Sequence, residues 1–183
     1  MDTRTTDEAL MLSYKDGSYE AFETLYSRHK APVLRFYRRQ IGSSAAEELL
    51  QEAFMRLVKA RTQYTQSASF KTYLWTLVRH VLVDHYRKLN RSLPESYAAV
   101  DPDQIHADER VEPDLCADQN RQLQKLLQRV SDLPSAQREA FLLKEESGLS
   151  LPEIAEIAGT SIDTIKSRLR YAVLKLRAAM GVS

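Results

Sequence analysis

The chain has few of the residues that break helices or cross-link a fold. Of its 183 residues, five are glycine, six are proline and only one, Cys116, is cysteine. Scarce helix breakers favour long helices over a sheet-rich fold. A lone cysteine excludes an intrachain disulfide, and its acidic surroundings give no support for a catalytic thiol. The sequence therefore predicts an all-α protein in which Cys116 is incidental.

Long apolar runs are absent as well. No stretch approaches the roughly 18 consecutive apolar residues of a membrane-spanning helix. The N-terminal sequence MDTRTTDEAL lacks the apolar core of a signal peptide. We therefore expect a cytoplasmic protein, and its 43% hydrophobic content is sufficient for packed cores.

Signatures of catalysis and metal binding are also missing. The four histidines form no ligand set, because His80 and His85 are five residues apart and point to different sides of a helix. No glycine-rich phosphate loop occurs, and no nucleophile has an evident partner base. We expect no enzyme activity, no metal and no cofactor.

The net charge of +1 conceals a segregation along the chain. Residues 1–91 carry 15 Lys and Arg against 10 Asp and Glu, residues 92–120 carry 1 against 8, and residues 121–183 carry 10 against 7. Two basic blocks thus flank an acidic one. Because the local field governs binding, near-neutrality of the whole chain does not argue against a nucleic-acid partner.

The most informative stretch is LSLPEIAEIAGTSIDTIKSRLRYAVLKLR, residues 149–177. Ser150 and Glu153 can form a capping box at the start of one helix. Gly159 can end that helix, and Thr160 or Ser161 can cap the next. This spacing predicts a helix-turn-helix whose second helix is basic, the arrangement that places a recognition helix in the DNA major groove.

One side of the predicted recognition helix is polar and basic. Its outward or sideways residues are candidates for contacts with duplex DNA: Thr164, Lys166, Ser167, Arg168, Arg170 and Tyr171. The alternative is a surface helix whose charges are only solvated. The capped turn and the apolar helix before it favour the DNA-binding interpretation.

The rest of the chain divides into helical blocks and a linker. Apolar residues at helical spacing predict three long helices within residues 1–91, and Ser44 with Glu47 predicts a capping box for the second. Residues 92–118 are acidic, contain three prolines and lose any apolar period, which predicts a flexible linker. Residues 119–183 regain helical spacing. We therefore predict two small helical domains joined by an acidic linker.

The third long helix carries a second stripe beside its apolar one, which includes Lys71, Trp75, Arg79 and Arg87. Cations interleaved with a flat ring suit single-stranded nucleic acid, in which phosphates are neutralised and bases stack. The alternative is that Trp75 fills the core and its neighbours are ordinary surface residues. The polar loop before the helix, residues 64–69, is long enough to wrap an extruded base.

Three blocks in this order resemble the extracytoplasmic-function sigma factors, the smallest sigma-70-type initiation factors of bacteria. They are AEELLQEAFMRLVKA (46–60), SFKTYLWTLVRHVLVDHYRK (69–88) and GTSIDTIKSRL within the helix-turn-helix. The resemblance implies a factor that binds core RNA polymerase, directs it to promoters and assists melting of the duplex. It also implies that a polymerase-binding surface lies in the first block, −10 element contacts in the second and −35 element contacts in the third.

The resemblance assigns residues to each role. The implied contacts to the polymerase β′ clamp are Glu47, Glu48, Leu50, Gln51, Glu52 and Arg56. The implied contacts to the −10 element are Tyr64, Phe70, Lys71, Thr72, Tyr73, Trp75, Arg79, His80, Arg87 and Lys88. The outward residues of the recognition helix would read the −35 element.

The chain also departs from the family pattern. Tyr73 stands where the family commonly has Trp, and Trp75 where it commonly has Tyr. Asp163 replaces a common Gly, and Tyr171 a frequent Arg. Loss of an arginine removes one possible bidentate guanine contact, worth about 1–3 kcal/mol of discrimination. The promoter sequence therefore does not follow from the resemblance.

The resemblance implies further partners. The acidic linker would thread the basic channels of the polymerase, where growing RNA later displaces it, although a solvated spacer is the simpler alternative. The resemblance also implies a membrane-anchored anti-sigma factor that would cover the faces used for polymerase. Two rival functions remain: a dimeric helix-turn-helix regulator that binds its site without polymerase, and an adaptor that only imitates a polymerase-binding surface.

Overall fold

The computed structural model describes residues 5–66, 68–91 and 117–180. Every regular element in these residues is helical, which confirms the all-α prediction. Cys116, His106 and nearly all of the predicted linker lie outside the described residues. The last two residues of that predicted linker already belong to a helix that begins at Ala117.

Four helices form an N-terminal module. They are α1 (Asp7–Lys15), α2 (Tyr19–Ile41), α3 (Ser43–Ala60) and α4 (Phe70–Arg91), with a 3-10 turn at Arg61–Gln63 after α3. Helix α2 packs against α1 and α3, and α4 packs against α3. The largest fully buried side chains of this module include Met11, Leu25, Phe36, Tyr37, Leu57, Phe70, Leu74 and Trp75.

Four further helices form a C-terminal module. They are α5 (Ala117–Ser131), α6 (Ser135–Leu142), α7 (Leu151–Ala158) and α8 (Ile162–Met180), and a π-helical turn at Leu143–Ser147 follows α6. Helix α8 packs against α5, α6 and α7. The buried apolar side chains of the two modules belong to one contiguous cluster, because α2 contacts the α6 region and α4 contacts α7.

Local signals in the C-terminal half predicted its helix ends correctly. The capping box is present: Glu153 Oε2 accepts hydrogen bonds from the Ser150 backbone N–H at 2.9 Å and the Ser150 hydroxyl at 2.6 Å. Gly159 ends α7 with φ of 63°, in the left-handed region that favours glycine. Ser161 then caps α8 by accepting the Thr164 N–H at 3.1 Å. The helix-turn-helix prediction is confirmed.

The capping box predicted for α3 is wrong. Helix α3 begins at Ser43 after Gly42, whose φ of 83° turns the chain, and no side chain caps its first N–H groups. The carboxylate of Glu47 instead accepts a hydrogen bond from Arg38 Nη2 at 3.1 Å. A partner on α2 therefore engages the side chain that the local pattern had assigned to the helix end.

A buried hydrogen bond links α2 to α4. Tyr37 is 0% exposed, and its hydroxyl donates to the Val78 carbonyl at 2.8 Å. Burial raises the pKa of Tyr37 above its usual value, so the phenol stays protonated and continues to donate.

Tyr37→Phe should lower the free energy of unfolding by about 1 kcal/mol, measured by urea denaturation. Tyr19→Phe, at a side chain 71% exposed, should leave it unchanged, and equal effects at both sites would contradict this assignment.

The carboxyl group of Glu153 should give the fold a defined acid sensitivity. Hydrogen bonds from Ser150, followed by those from Thr72 and Ser69, lower its pKa from 4.5 to about 2, against a smaller opposing effect of burial. A pKa that is lower in the folded state stabilises the fold fully above the unfolded value, and the contribution is lost as the pH falls towards 2.

Glu153→Gln should therefore lower the free energy of unfolding at neutral pH by about 1 kcal/mol, because glutamine can still occupy the capping box but its hydrogen bonds lose the negative charge of the carboxylate. The deficit should shrink between about pH 4.5 and 2. Urea denaturation across this range measures it, with Glu156→Gln as the control because Glu156 is an exposed glutamate on the same helix. A deficit that did not change with pH would contradict the proposed cap.

Candidate nucleic-acid interface

Helix α8 presents a polar row on the side opposite its buried face. Ile165 and Ala172 are 0% exposed and hold the helix in the core. The predicted row faces the other way: Lys166, Ser167, Arg170 and Tyr171 are exposed, and Thr164 and Arg168 are partly buried. The exposed side chains of this row are accessible to solvent in this structure. That these residues bind DNA stays a prediction.

One cation of this row has only a weak partner in the protein. Lys166 Nζ lies 3.1 Å from Asp163 Oδ1, and both side chains are well exposed. Exposed ion pairs contribute little to stability, so Lys166 can exchange this partner for a phosphate at small cost. Tyr171, with 57% of its surface exposed, extends the same row by an aromatic ring.

The turn before α8 fixes the angle between the two helices. The Gly159 N–H donates to the Glu156 carbonyl at 3.1 Å, and the Thr160 N–H donates to the Ala155 carbonyl at 3.0 Å. These bonds close the end of α7 in the pattern of a glycine-terminated helix. The orientation of the recognition row is therefore set by backbone hydrogen bonds rather than by flexible side chains.

The basic and aromatic stripe predicted on α4 divides into a buried and an accessible part. Tyr64, Phe70, Thr72 and Trp75 are at most 5% exposed. The accessible part consists of His80, Arg87 and Lys88, which are exposed, and Lys71, Tyr73 and Arg79, which are partly buried. The cations at the C-terminal end of α4 thus remain open to solvent.

Of the two interpretations of Trp75, the structure shows the one in which it fills the core. Its side chain is 1% exposed and meets Phe36 of α2 edge to face, with ring centroids 5.3 Å apart. Thr72 and Arg79, each about one helical turn away on the same face of α4, are both bonded to the C-terminal module. Helices of that module therefore cover the surface on which Trp75 lies, which a reading of α4 alone could not reveal.

The loop expected to wrap an extruded base holds its aromatic residue inward. Tyr64 packs edge to face against Tyr73, at 5.2 Å between ring centroids, and against Phe70 at 6.4 Å. Burial raises the pKa of the Tyr64 phenol, with a further contribution from Glu8. Of the remaining loop residues, Ser67 lies outside the described residues. The direct base contact predicted for Tyr64 and Phe70 is not available in this conformation.

The start of α4 is held by N-terminal residues. The Phe70 N–H donates to Glu8 Oε1 of α1 at 2.8 Å, and the Thr72 N–H donates to Ser69 Oγ at 3.1 Å. Lys15 Nζ donates to the Tyr64 carbonyl at 2.8 Å. Helix α1 therefore positions the predicted strand-binding segment, although no local motif in α1 indicated this role.

The predicted polymerase-binding residues of α3 also divide by exposure. Glu47, Glu48 and Gln51 are exposed on the outer face. Leu50 is 7% exposed and packs in the core, and its role as a docking contact stays a prediction. Leu50 is buried because it belongs to the apolar face of α3.

Two further predicted docking residues are occupied by ion pairs. Arg56 bonds the carboxylate of Glu52 on its own helix and lies 3.0 Å from Asp84 Oδ2 of α4. Both Arg56 and Glu52 are partly buried. They therefore support the packing of α3 on α4 as well as flanking the outer face.

Sequence reasoning missed Met55. This methionine is 52% exposed and lies one turn beyond Gln51 on the outer face of α3. An exposed methionine is an adaptable apolar contact at binding surfaces. The signal was present in the sequence, because Met55 falls outside the otherwise regular apolar spacing of the helix.

Sequence reasoning also missed the side chains that join the two modules. Glu139 and Glu146 of the C-terminal module pair with Arg79 of α4 and with Arg35 and Arg39 of α2, respectively. These pairs connect residues at least 60 positions apart in the chain. No local pattern could have identified them.

Across residues 5–66, 68–91 and 117–180, no three His, Cys, Asp or Glu side chains are grouped as metal ligands. Every helix within these ranges is too short or too polar to span a lipid bilayer.

Comparisons with known proteins agree with this arrangement. Residues 25–92 match the family model Sigma-70 region 2, and residues 123–176 match Sigma-70, region 4. The sigma factor RpoE, solved in complex with the anti-sigma factor NepR from Bartonella quintana, aligns with a TM-score of 0.71 at 25% identity, covering 88% of this chain and 98% of that one. CnrH, solved with the cytosolic domain of CnrY, aligns at 0.69 over 96% and 97% of the two chains, and at 20% identity it supports the fold alone.

Sequence similarity extends over nearly the whole chain. The ECF RNA polymerase sigma factor SigC of Mycobacterium tuberculosis is 33% identical over 175 residues, which are 93% of this chain and 90% of the relative. The two matched regions correspond to the module with the α3 face and to the module with the helix-turn-helix. The chain therefore belongs to the extracytoplasmic-function sigma factors of the sigma-70 family, which direct RNA polymerase to promoters.

Proposed function

We propose a division of labour among three helices. Helix α3 docks on core RNA polymerase, α8 reads the −35 element as duplex, and α4 holds the melted strand of the −10 element. The chain contributes binding and no catalysis of its own. The observation that carries the proposal is the exposed polar row of α8, held by a capped turn and a buried opposite face.

The chemistry of the α8 row supports contact with duplex DNA. Lys166 and Arg170 are exposed cations that can neutralise phosphates, and an arginine can also bond guanine through two donors. Ser167 can donate or accept a hydrogen bond at a base edge. Tyr171 and the partly buried Thr164 and Arg168 would flank these contacts. Because Tyr171 replaces a cation, we expect a −35 preference that differs from that of relatives with arginine there.

The outer face of α3 supports docking on the polymerase. Glu48 and Met55 are seven residues apart, so they lie on the same face of the helix about 10.5 Å from each other. Gln51 lies between them, and Glu47 borders the face. An exposed methionine ringed by polar side chains suits a protein partner, which we propose to be the coiled coil of the β′ clamp.

The accessible part of α4 supports contact with unpaired DNA. Arg87 and Lys88 offer cations at the C-terminal end of the helix, and His80 offers an imidazole ring at its middle. Lys71, Tyr73 and Arg79 lie nearer its N-terminal end. Cations next to aromatic rings can neutralise phosphates and stack bases without demanding one sequence.

The remaining partners follow from the same assignment. The helix-turn-helix module would also contact the polymerase β subunit, and the acidic linker would enter the basic channels of the enzyme. We propose that a membrane-anchored anti-sigma factor holds the chain inactive in the cytoplasm. The sigma factor RpoE, solved in complex with the anti-sigma factor NepR, supports this part of the proposal.

Transcription reconstituted from purified core polymerase, this chain and a set of candidate promoters tests the proposal. We expect initiation that requires both the chain and particular promoter sequences. Tight, dimeric binding to DNA without polymerase would instead indicate a regulator. Polymerase binding without promoter-specific initiation would indicate an adaptor.

The docking face can be tested with a matched pair of variants. Glu48→Gln combined with Met55→Ala should weaken binding to core polymerase by about 1–3 kcal/mol, because both changes fall on one proposed contact. The control is Glu23→Gln combined with Leu12→Ala, which removes the same charge and a similar exposed apolar group from α2 and α1. Fluorescence anisotropy of the labelled chain with core polymerase measures both. Equal losses would remove α3 from the interface.

The recognition row can be tested on α8 alone. Arg170→Ala should lower promoter affinity of the holoenzyme by about 1–3 kcal/mol and reduce its salt dependence. Arg177→Ala removes the same charge from an exposed position near the end of the helix and serves as the control. Electrophoretic mobility shifts at several salt concentrations provide the measurement. If both variants behaved alike, general charge rather than the proposed row would account for binding.

A further inference from the structure

The loop before α4, residues 64–69, is tied to α1 at both ends. Lys15 Nζ donates a hydrogen bond to the Tyr64 carbonyl at 2.8 Å. At the other end, the Phe70 N–H donates to Glu8 Oε1, also at 2.8 Å. Both anchoring side chains belong to one short helix. A single rigid element therefore sets the positions of the two loop ends.

The two anchors lie on the same side of α1. Glu8 belongs to the first turn of the helix and Lys15 to its last turn. Their separation of seven residues is about two helical turns, so they point in nearly the same direction from positions about 10.5 Å apart. Met11, one turn from each, is 0% exposed. A shift or rotation of α1 would therefore move both loop ends together.

Helix α1 is itself fixed to α2 through Asp7. One carboxylate oxygen of Asp7 accepts a hydrogen bond from Arg28 Nη1 at 2.7 Å, and the other lies 2.7 Å from His29 Nε2. The His29 ring also packs against the ring of Phe70, with 5.4 Å between centroids. A displacement of α1 would break these contacts, so the helix gives the loop a fixed support.

The residues at the two loop ends also contact each other. The rings of Tyr64 and Phe70 meet edge to face, and both side chains are at most 2% exposed. The Tyr64 hydroxyl has no hydrogen-bond partner within the described ranges, so packing alone holds this ring. Lys15 is the side chain whose hydrogen bond ties position 64 to α1. Between the ends, Thr65 and Gln66 expose a hydroxyl and an amide, both able to donate and accept hydrogen bonds.

We propose that Glu8 and Lys15 are positioning residues for recognition of an unpaired base of the −10 element. They act through the loop rather than by contact with DNA, and they hold Thr65 and Gln66 where these side chains meet the hydrogen-bonding edge of the base. A flipped base is read by such hydrogen bonds, and the groups that read it must be held within about 0.5 Å. This inference rests on the proposed role of α4 and of the loop before it.

A positioning role differs from a purely structural one in what it changes. If α1 only stabilised the N-terminal module, loss of an anchor would slow the opening of all promoters by the same factor. If α1 positions the loop, loss of an anchor changes the ratio of opening rates between promoters that differ in one base. Specificity is a difference between two free energies, so a uniform loss of activity cancels from that ratio.

Three variants of the full chain test the anchor at Glu8. Glu8→Ala removes the acceptor of the Phe70 N–H, whereas Glu8→Gln keeps an oxygen in its place. Glu20→Ala is the control, because Glu20 is an exposed acid in the first turn of α2 and its loss has the same effect on a helix N-terminus. The measurement is the rate of open-complex formation with core polymerase on promoters that differ at single positions of the −10 element, followed by a fluorescent dye near that element.

The ratio of rates for the preferred and a disfavoured base should fall about fivefold in Glu8→Ala, the equivalent of one hydrogen bond. Glu8→Gln and Glu20→Ala should keep most of the ratio of the parent chain. Holoenzyme affinity for a duplex that contains only the −35 element should be the same for all four proteins. An equal loss of rate on every promoter in Glu8→Ala would overturn the positioning role. Absence of promoter-specific opening by the parent chain would instead contradict the proposed function.

The other end of the loop gives an independent test if Glu8→Ala fails to fold. Lys15→Met removes the donor to the Tyr64 carbonyl and keeps the length of the side chain, and Lys15→Arg restores a donor. The ratio should fall in the first variant and recover in the second, and an unchanged ratio in Lys15→Met would overturn the proposal. Combining Lys15→Met with Glu8→Ala should reduce the ratio by less than the product of the single effects, because both anchors hold one loop. Fully multiplicative losses would contradict a shared role.

Discussion

The burial of Glu146 between Arg35 and Arg39 is the interaction on which the docking of the C-terminal module against α2 depends. A carboxylate that is 4% exposed has lost almost all of its water. Such a charge is costly unless it is paired and hydrogen-bonded, and the two guanidinium groups meet both requirements. A partial separation would leave the carboxylate between water and protein without adequate partners. The contact therefore favours modules that are either fully docked or fully apart.

Trp75 belongs to the core of the N-terminal module, because it is 1% exposed and meets Phe36 of α2 edge to face. This contact lies within one module and does not depend on the docking of the other. Of the two interpretations of Trp75 that the sequence allowed, core residue and stacking platform, the structure shows the core residue.

Features encoded by neighbouring residues were predictable from the sequence. The capping box of Ser150 and Glu153, and the left-handed Gly159, follow from side-chain and backbone chemistry within one helical turn. The box proposed for Ser44 and Glu47 failed because Arg38 on another helix engages the glutamate. Leu50 belongs to the apolar spacing of α3, and only the family resemblance assigns it to the docking face.

The contacts between modules were not predictable in this way. The two residues of each ion pair are far apart in the sequence, and no helical repeat relates one to the other. Glu139 and Glu146 look like ordinary surface acids until α2 and α4 are brought against them. The sequence therefore predicts the surfaces of α3, α4 and α8 one at a time. Which side chains of these surfaces are exposed depends on how the two modules pack together.

The π-helical turn at Leu143–Ser147 sets which way Glu146 points. A π turn holds more residues per revolution than an α turn, and each residue of an α-helix advances about 100° around the axis. The same side chains on a regular α-helical turn would have Glu146 rotated away from the two arginines. The wider turn thus sets the direction of the Glu146 side chain around the helix axis and, with it, the docking of the two modules. Deleting or inserting one residue in this turn would weaken the docking even if every docking side chain were kept.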